Sequence, residues 1–150
     1  MNQRAAIYPG FEVLETLHGG PHVTTKRVRA EGESSTFLLK APREPSGISD
    51  RGALEAEIGI LRRLGLRCRT VTSGADDNSS LRGVILPDIG GRPLQELIRR
   101  GGMEPSEVLW IAMEVVRAIQ RTHAKRVIHN CVSPGSVLVS RTTRRADFVS

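Results

Sequence analysis

The sequence predicts an α+β fold in which a five-stranded antiparallel sheet carries one helix, inserted after the third strand, and is followed by a mainly helical part. Two kinds of pattern predict it. Apolar and polar residues alternate over short stretches such as 11–17 and 137–139, as they do in half-buried strands. Two longer stretches, 51–64 and 105–124, instead repeat apolar residues every three or four positions, as amphipathic helices do.

Composition and charge narrow the class of protein. Of 150 residues, 39% are hydrophobic and 25% charged, which is typical of a soluble globular domain. Apolar runs are only a few residues long and residues 1–8 lack the apolar centre of a secretory signal, so neither a membrane segment nor export is expected. Two cysteines, Cys68 and Cys131, form no disulfide framework or metal motif. A reducing cytoplasm fits this composition best.

The net charge of +6 is compatible with an acidic partner such as a nucleic acid. Nearly all of the positive charge is arginine, however, and it is dispersed from Arg4 to Arg145. Only five aromatic residues accompany it, too few for a platform on which bases stack. The pattern therefore favours a solvated basic surface over nucleic-acid binding.

The first two strands are predicted to form a hairpin. Residues 11–17 place Phe11, Val13 and Leu17 on a half-buried face, and 22–29 read as the return strand. Gly19 and Gly20 lie in the break between them, where glycine lets the backbone approach a ligand closely. A plain hairpin turn and a phosphate-covering loop both fit this stretch.

A buried strand and a helix follow. The apolar run 36–42 predicts a strand that delivers Lys40, either to solvent or to a site. Asp50 is a suitable N-cap for a helix over 51–64, on which Leu54, Ile58 and Leu61 form the apolar face and Glu57 borders it. Two further strands are predicted at 66–72 and 81–86, on either side of a polar turn.

The fifth strand leads into a turn and then into helices. The chain turns at Pro87 and at Gly90-Gly91, and a short helix begins at Pro93. The second long helix, over 105–124, has a broad apolar stripe, and Trp110 lies off it. The residues predicted to form the stripe are Val108, Ile111, Ala112, Val115, Val116 and Ile119.

Six features occur in the order in which the protein-kinase family has them, and over about 8–150 the chain resembles that family. They are the glycine hairpin, the strand lysine, the helix glutamate, the turn after the fifth strand, the loop His129-x-x-x-x-Pro134 and the pair Asp147-Phe148. The hairpin and turn are similar to those of kinase-like domains fused to bacterial multi-sensor signalling proteins. The resemblance implies a small lobe over 1–86, a hinge over 87–92 and the first part of a helical large lobe over 93–150.

The resemblance also implies a site for ATP and Mg²⁺. In that site Lys40 contacts the phosphates and is aimed by an ion pair with Glu57, while Gly19 and Gly20 cover the phosphates. Backbone groups of Pro87 and Ile89 then read the adenine edge.

The remaining family positions lie in the second half of the chain. Asp147 is the implied magnesium ligand, and His129 is the structural histidine of the loop. His123 matches a position that packs beneath this loop, and we expect it to be buried and hydrogen-bonded rather than catalytic.

At the catalytic positions the chain departs from the family. Cys131 stands in place of the catalytic Asp, and Ser136 in place of the second metal-binding residue, an Asn; Asn130 and Val149 replace an Arg and a Gly. Loss of a general base costs roughly 10²- to 10⁴-fold in rate. The departures predict a serine/threonine kinase homologue that binds ATP but transfers phosphate poorly, with Cys131 inactive and Ser136 a poor metal ligand.

The chain stops shortly after Asp147, before the activation segment and later helices of the family. A truncated large lobe would leave the helix over 105–124 partly uncovered, and association through its apolar face is expected. Two alternatives stay open: a fragment of an active serine/threonine kinase, and a basic binding module without nucleotide chemistry. The substrate and the signalling partner are not specified by the sequence.

Overall fold

The computed structural model describes residue 8 and residues 10–43, 48–72, 81–129 and 132–148. They form two compact units that meet in sequence between Asp88 and Ile89. The first unit contains a five-stranded antiparallel sheet and one helix, and the second contains a three-stranded sheet and two helices. The predicted α+β class and the five-stranded antiparallel sheet are confirmed.

The elements of the first unit follow the predicted order, with the helix after the third strand. They are β1 (Phe11–Gly19), β2 (Val23–Ala30), β3 (Thr36–Pro42), α1 (Ile48–Arg63), β4 (Arg69–Thr72) and β5 (Leu81–Pro87). In the sheet the strand order is β1-β2-β3-β5-β4, and every neighbouring pair is antiparallel. Because β5 lies between β3 and β4, β3 is the central strand.

The second unit contains β6 (Arg92–Pro93), α2 (Leu94–Arg100), α3 (Pro105–Ala124), a 3-10 turn (Pro134–Ser136), β7 (Val137–Ser140) and β8 (Arg145–Phe148). Its sheet has the order β6-β7-β8. The predicted bounds of α3 match the observed helix. Within the described ranges, no helix is both long enough and apolar enough to span a membrane.

Both faces of the first sheet are buried. One face carries an apolar cluster, built from Tyr8, Val28, Leu39, Ala41, Val71 and Ile85 with Phe11 and Phe37 at its margin. Side chains alternate along a strand, so Lys40, between Leu39 and Ala41, lies on the other face. That face is met by α1, whose predicted apolar stripe of Leu54, Ile58 and Leu61 is buried.

Three local predictions for the first unit were wrong. Val13 is 44% exposed although it pairs with the buried Val28; it lies on β1, the edge strand of the sheet. Helix α1 begins at Ile48, so Asp50 lies inside its first turn rather than at the N-cap. Strand β4 begins at Arg69, because residues 64–66 close the end of α1 with hydrogen bonds back to its last-turn carbonyls.

The buried face of α3 differs from the predicted stripe. Ile111, Ala118 and Thr122 are buried, which defines a face of successive helical turns. Val108 and Val116, both predicted to belong to the stripe, are instead 49% and 52% exposed. Trp110, predicted to lie off the stripe, packs at the margin of the core formed by Leu97, Ile111, Val137, Val139 and Ala146.

The rest of α3 bears on two further predictions. His123 is exposed, because it follows the buried Thr122 by one residue and so turns about 100° away from the core. The expectation that it is packed was therefore wrong. Leu109 and Met113 are exposed beside Val108 and Val116, so α3 does have an uncovered apolar face. Association through that face stays a prediction.

The short strand β6 was not predicted. Arg92 and Pro93 pair with Val139 and Leu138 of β7. This pairing brings the chain so close that a Cβ on Gly91 would lie 2.5 Å from the Val139 carbonyl oxygen. Gly91 is therefore required by close approach to β7 and not only by the turn.

Candidate functional site

Lys40 is a buried cation on the central strand of the first sheet. It pairs in register with Thr25 on β2 and Val84 on β5. Its exposed fraction is 2%, and those of Thr25 and Val84 are 1% and 0%. A solvated lysine at a strand exit is therefore excluded.

The predicted ion pair between Lys40 and Glu57 is present. Lys40 Nζ donates a hydrogen bond to Glu57 Oε1. Glu57 reaches the sheet because it adjoins Ile58 at the edge of the buried stripe of α1, and its side chain is 20% exposed. The helix thus holds one carboxylate against an ammonium group that has almost no access to water.

Burial lowers the pKa of Lys40, and the charge and hydrogen bond of Glu57 oppose that effect. Removing two charges from water is expensive, and a buried pair recovers that cost only when its geometry is good. Within the described part of the chain, Glu57 is the hydrogen-bond partner of the Lys40 amine. An ammonium group has three donors. Lys40 therefore has hydrogen-bonding capacity for an anion.

His18 lies in the same row of the sheet. It pairs with Thr25, which pairs in turn with Lys40, so the three residues occupy adjacent positions on three neighbouring strands and share one face. Burial lowers the pKa of His18 from its usual 6.5, the positive charge of Lys40 lowers it further, and Glu57 partly opposes both. No pattern in the sequence pointed to His18 as a site residue.

The predicted glycine loop is a tight turn at the end of this row. Gly19 is the last residue of β1, and Gly20 N donates to Val23 O over 2.9 Å. A Cβ on Gly20 would lie 2.9 Å from that carbonyl oxygen and 4.0 Å from His18 Nε2, whereas one on Gly19 would meet nothing within 4 Å. The His18 ring therefore lies beside the turn. A phosphate-covering loop and a plain hairpin both remain compatible with this geometry.

Pro87 ends β5, and the next residue, Asp88, is anchored by its side chain. The Asp88 carboxylate is fully buried and accepts hydrogen bonds from Arg27 Nε at 2.6 Å and from Thr36 Oγ1 at 2.9 Å. These contacts fix the backbone of the first unit just after Pro87, one of the residues for which the resemblance implies a backbone contact to adenine.

Arg27 links this anchor to β1, because its Nη1 also pairs with Glu15. Burial disfavours the charged form of Arg27, but the hydrogen bonds and charges of Asp88 and Glu15 outweigh burial and raise its pKa. Sequence patterns gave no indication of this cluster. Its members are far apart in the chain and become neighbours only through strand pairing.

Asp147, in the second unit, lies on β8. Its Oδ2 accepts a hydrogen bond from Arg121 Nη2 at 3.2 Å, and its Oδ1 accepts one from the Phe148 N–H at 3.0 Å. The side chain is 37% exposed, so the carboxylate reaches solvent. Asp147 is accessible to a cation, but such a cation would compete with Arg121.

Ser136 is fully buried and closes a turn. Its hydroxyl donates to the Ser133 carbonyl oxygen at 2.9 Å and accepts from the Ser133 N–H at 3.0 Å. Ser133 caps the same turn in return, since its hydroxyl accepts from the Ser136 N–H. A metal-ligand role for Ser136 would require this turn to open, and it stays a prediction.

His129 stacks on Phe148, with ring centroids 4.1 Å apart and ring planes at 38°. This contact ties the loop to β8, in keeping with a structural role. Cys131, predicted to occupy the catalytic position, lies outside the described residues, as does Asn130. In the described ranges, no three His, Cys, Asp or Glu side chains converge as a metal site.

Lys40, Glu57 and the glycine turn therefore belong to the first unit, and Asp147, Ser136 and His129 to the second. No protein-family model matches the chain, and no curated protein matches it in sequence. Its ligand has to be inferred from its own side chains.

Proposed function

We propose that the chain is a protein-kinase-like domain that binds ATP through the first unit and transfers phosphate poorly. The observation that carries the proposal is the buried ion pair between Lys40 on the central strand and Glu57 on α1. A glycine turn at the end of the same sheet row supports it, and so does the sheet order β1-β2-β3-β5-β4 with its helix after β3.

The ion pair points to an anionic ligand because stability alone does not call for it. Replacing a buried pair by apolar residues of similar size is often neutral or stabilising. A lysine held by one carboxylate keeps donors for a polyphosphate, and phosphoryl-transfer sites use an aimed lysine in this way. Nucleotide phosphates are thus the ligand class that best fits Lys40.

Two further parts of the proposal have less direct support. The Asp88 anchor holds the backbone next to Pro87, which suits recognition of the adenine edge by backbone groups there. Asp147 is assigned to Mg²⁺ by the resemblance, and its partly exposed carboxylate is compatible with that role.

Poor transfer follows from the residues at the catalytic positions. Cys131 offers a thiol with a usual pKa of about 8.5 where phosphoryl transfer uses a carboxylate to orient the attacking hydroxyl. The Ser136 hydroxyl is already hydrogen-bonded within its turn. Binding without efficient turnover is therefore the expected behaviour.

The test is nucleotide-dependent thermal stability. A ligand at a hundred times its dissociation constant stabilises the folded state by about 2.7 kcal/mol. Millimolar ATP with Mg²⁺ is expected to raise the Tm of the wild-type protein and not that of Lys40→Met. The matched control is Lys125→Met, which alters an exposed lysine and is expected to respond like the wild type. An unchanged wild-type Tm with ATP, with or without Mg²⁺, would defeat the proposal.

Transfer is measured separately with radiolabelled ATP and a basic protein acceptor. No incorporation is expected from the wild-type protein. Incorporation that disappears in Lys40→Met would instead establish the active-kinase alternative. Salt-sensitive binding to duplex DNA, without an ATP response, would support the basic binding module.

A further inference from the structure

We propose that His18 is a second ligand for the phosphates of the bound nucleotide and takes up a proton from solvent when they bind. The inference rests on the proposed function, because it requires an anion at Lys40. It goes beyond that function by naming a second cationic group and by coupling nucleotide affinity to pH.

The geometry places His18 and Lys40 on either side of one small residue. His18 and Lys40 are both in register with Thr25, on opposite sides of it. Strands are spaced by about 4.8 Å, so the two backbones are roughly 10 Å apart. An imidazole and a long ammonium side chain on one face can converge across Thr25 on an anion of phosphate size. The Gly20 turn lies against the His18 ring and adds no side chain there.

The net electrostatic effect on protonation of His18 reverses when an anion binds beside Lys40. Without it, burial and the positive charge of Lys40 keep the imidazole neutral, and Glu57 only partly opposes them. Within the described ranges, the charged groups that shift the pKa of His18 are thus Lys40 from β3 and Glu57 from α1. A polyphosphate beside Lys40 brings several negative charges, which favour the imidazolium form. Binding and protonation therefore assist each other.

The sign of the pH dependence follows. Protonation of His18 becomes easier as pH falls towards the usual histidine pKa of 6.5, so affinity for the polyphosphate rises as pH falls. The terminal phosphate of the nucleotide titrates in the same range, with a pKa of about 6, and weakens binding as it gains its own proton. The two effects are opposed, and only a comparison between variants separates them.

The experiment is isothermal titration calorimetry with MgATP and with inorganic tripolyphosphate, at about pH 6 and pH 8, in two buffers of different ionisation enthalpy. The difference between buffers measures proton uptake directly. Wild type is compared with His18→Gln, with His18→Asn in case the first variant folds poorly, and with His123→Gln as a control at an exposed histidine.

Wild type and His123→Gln are expected to take up more protons than His18→Gln with either ligand. Relative to His18→Gln, the wild-type affinity gains about tenfold on going from pH 8 to pH 6, the equivalent of one pKa unit. Binding with equal proton uptake in wild type and His18→Gln overturns this inference and leaves the proposed function intact. Failure of wild type to bind either ligand removes both.

Discussion

Glu57→Gln should destabilise the protein more than Lys40→Met, although each removes one partner of the same ion pair. The exposed fractions decide the difference, since Lys40 is 2% exposed and the Glu57 side chain 20%. Glu57→Gln leaves a buried ammonium group without a counter-charge. Lys40→Met leaves a carboxylate that can turn towards water, and the methionine side chain keeps an apolar stem of similar length.

Two arguments limit the loss of unfolding free energy expected for Glu57→Gln. Breaking a buried pair by removing one partner costs about 3–5 kcal/mol. The cost cannot exceed that of deprotonating Lys40, whose usual pKa is 10.5, and at neutral pH that is about 5 kcal/mol at 1.36 kcal/mol per unit. We expect a loss of about 3 kcal/mol for Glu57→Gln and about 1 kcal/mol for Lys40→Met.

The loss in Glu57→Gln should depend on pH, in a direction set by Lys40. Burial already lowers the pKa of Lys40 below 10.5, and removing Glu57 lowers it further. Between the folded-state pKa and 10.5 the unfolded chain binds more protons than the folded one, so stability rises with pH in that window. The deficit relative to wild type is therefore largest below the folded-state pKa and shrinks as pH approaches 10.5.

The assay is urea unfolding at neutral pH and near pH 9.5, followed by circular dichroism, with free energies of unfolding from linear extrapolation. The double variant Lys40→Met/Glu57→Gln completes the cycle and should be more stable than Glu57→Gln alone, because the unpaired cation is gone. The reasoning is refuted if Lys40→Met is at least as destabilising as Glu57→Gln, or if the deficit of Glu57→Gln grows with pH.

Three further changes test other contacts in the two units, each by urea unfolding. Arg27→Gln leaves the fully buried Asp88 carboxylate without its cation and should cost about 3 kcal/mol of unfolding free energy. Arg27→Lys should recover only part of that loss, because lysine lacks the planar donors that contact both Asp88 and Glu15. Full recovery by Arg27→Lys would contradict this reasoning. Gly20→Ala places a Cβ 2.9 Å from a backbone carbonyl oxygen and should cost about 1–2 kcal/mol, whereas Gly19→Ala, with open space, should stay within about 0.5 kcal/mol; equal losses would argue against the turn geometry. Ser136→Ala should cost about 1–2 kcal/mol and be less than additive with Ser133→Ala, since both remove the same capping contacts; additive losses would contradict a shared cap.

The sequence was sufficient for the parts of the first unit that depend on local periodicity. The apolar stripe of α1 has helical spacing, so its burial and the inward position of Glu57 follow from the residues alone. Features of this kind can be predicted because they are set by neighbours in the chain. The apolar run before Lys40 predicts a strand but leaves open whether the amine lies in solvent or in a site, and its burial depends on β2 and β5, which flank β3.

Features set by distant residues were missed. The register shifts in β1, on either side of Glu15 and Thr16, depend on how β2 pairs with it. Strand β6 exists only because β7 lies against Arg92 and Pro93. On α3, which of two adjacent apolar faces is buried depends on the sheet of the second unit, and the sequence alone did not distinguish Val116 from Ala118.

The candidate site likewise combines residues that the sequence predicted with one that only the strand register reveals. Lys40 and Glu57 were predicted as a pair through a family spacing. His18 joins them only through strand register, since it must lie opposite Thr25 for the row to exist. Its role could not be inferred without the register of the hairpin.

Two buried ion clusters in the first unit differ in how many carboxylates each cation contacts. This difference is the reason for assigning a ligand to only one of them. Arg27 is held by Asp88 on one side and Glu15 on the other, so its planar donors are directed at two carboxylates and its role is structural. Lys40 has one carboxylate partner among the described residues, a lowered pKa and a neighbouring histidine whose charge Lys40 itself suppresses. Under the proposed function, a buried ammonium group with one carboxylate partner, beside a histidine that gains a proton when negative charge arrives, suits an incoming polyanion. The Arg27 cluster already has its negative charge, and it should be insensitive to nucleotide.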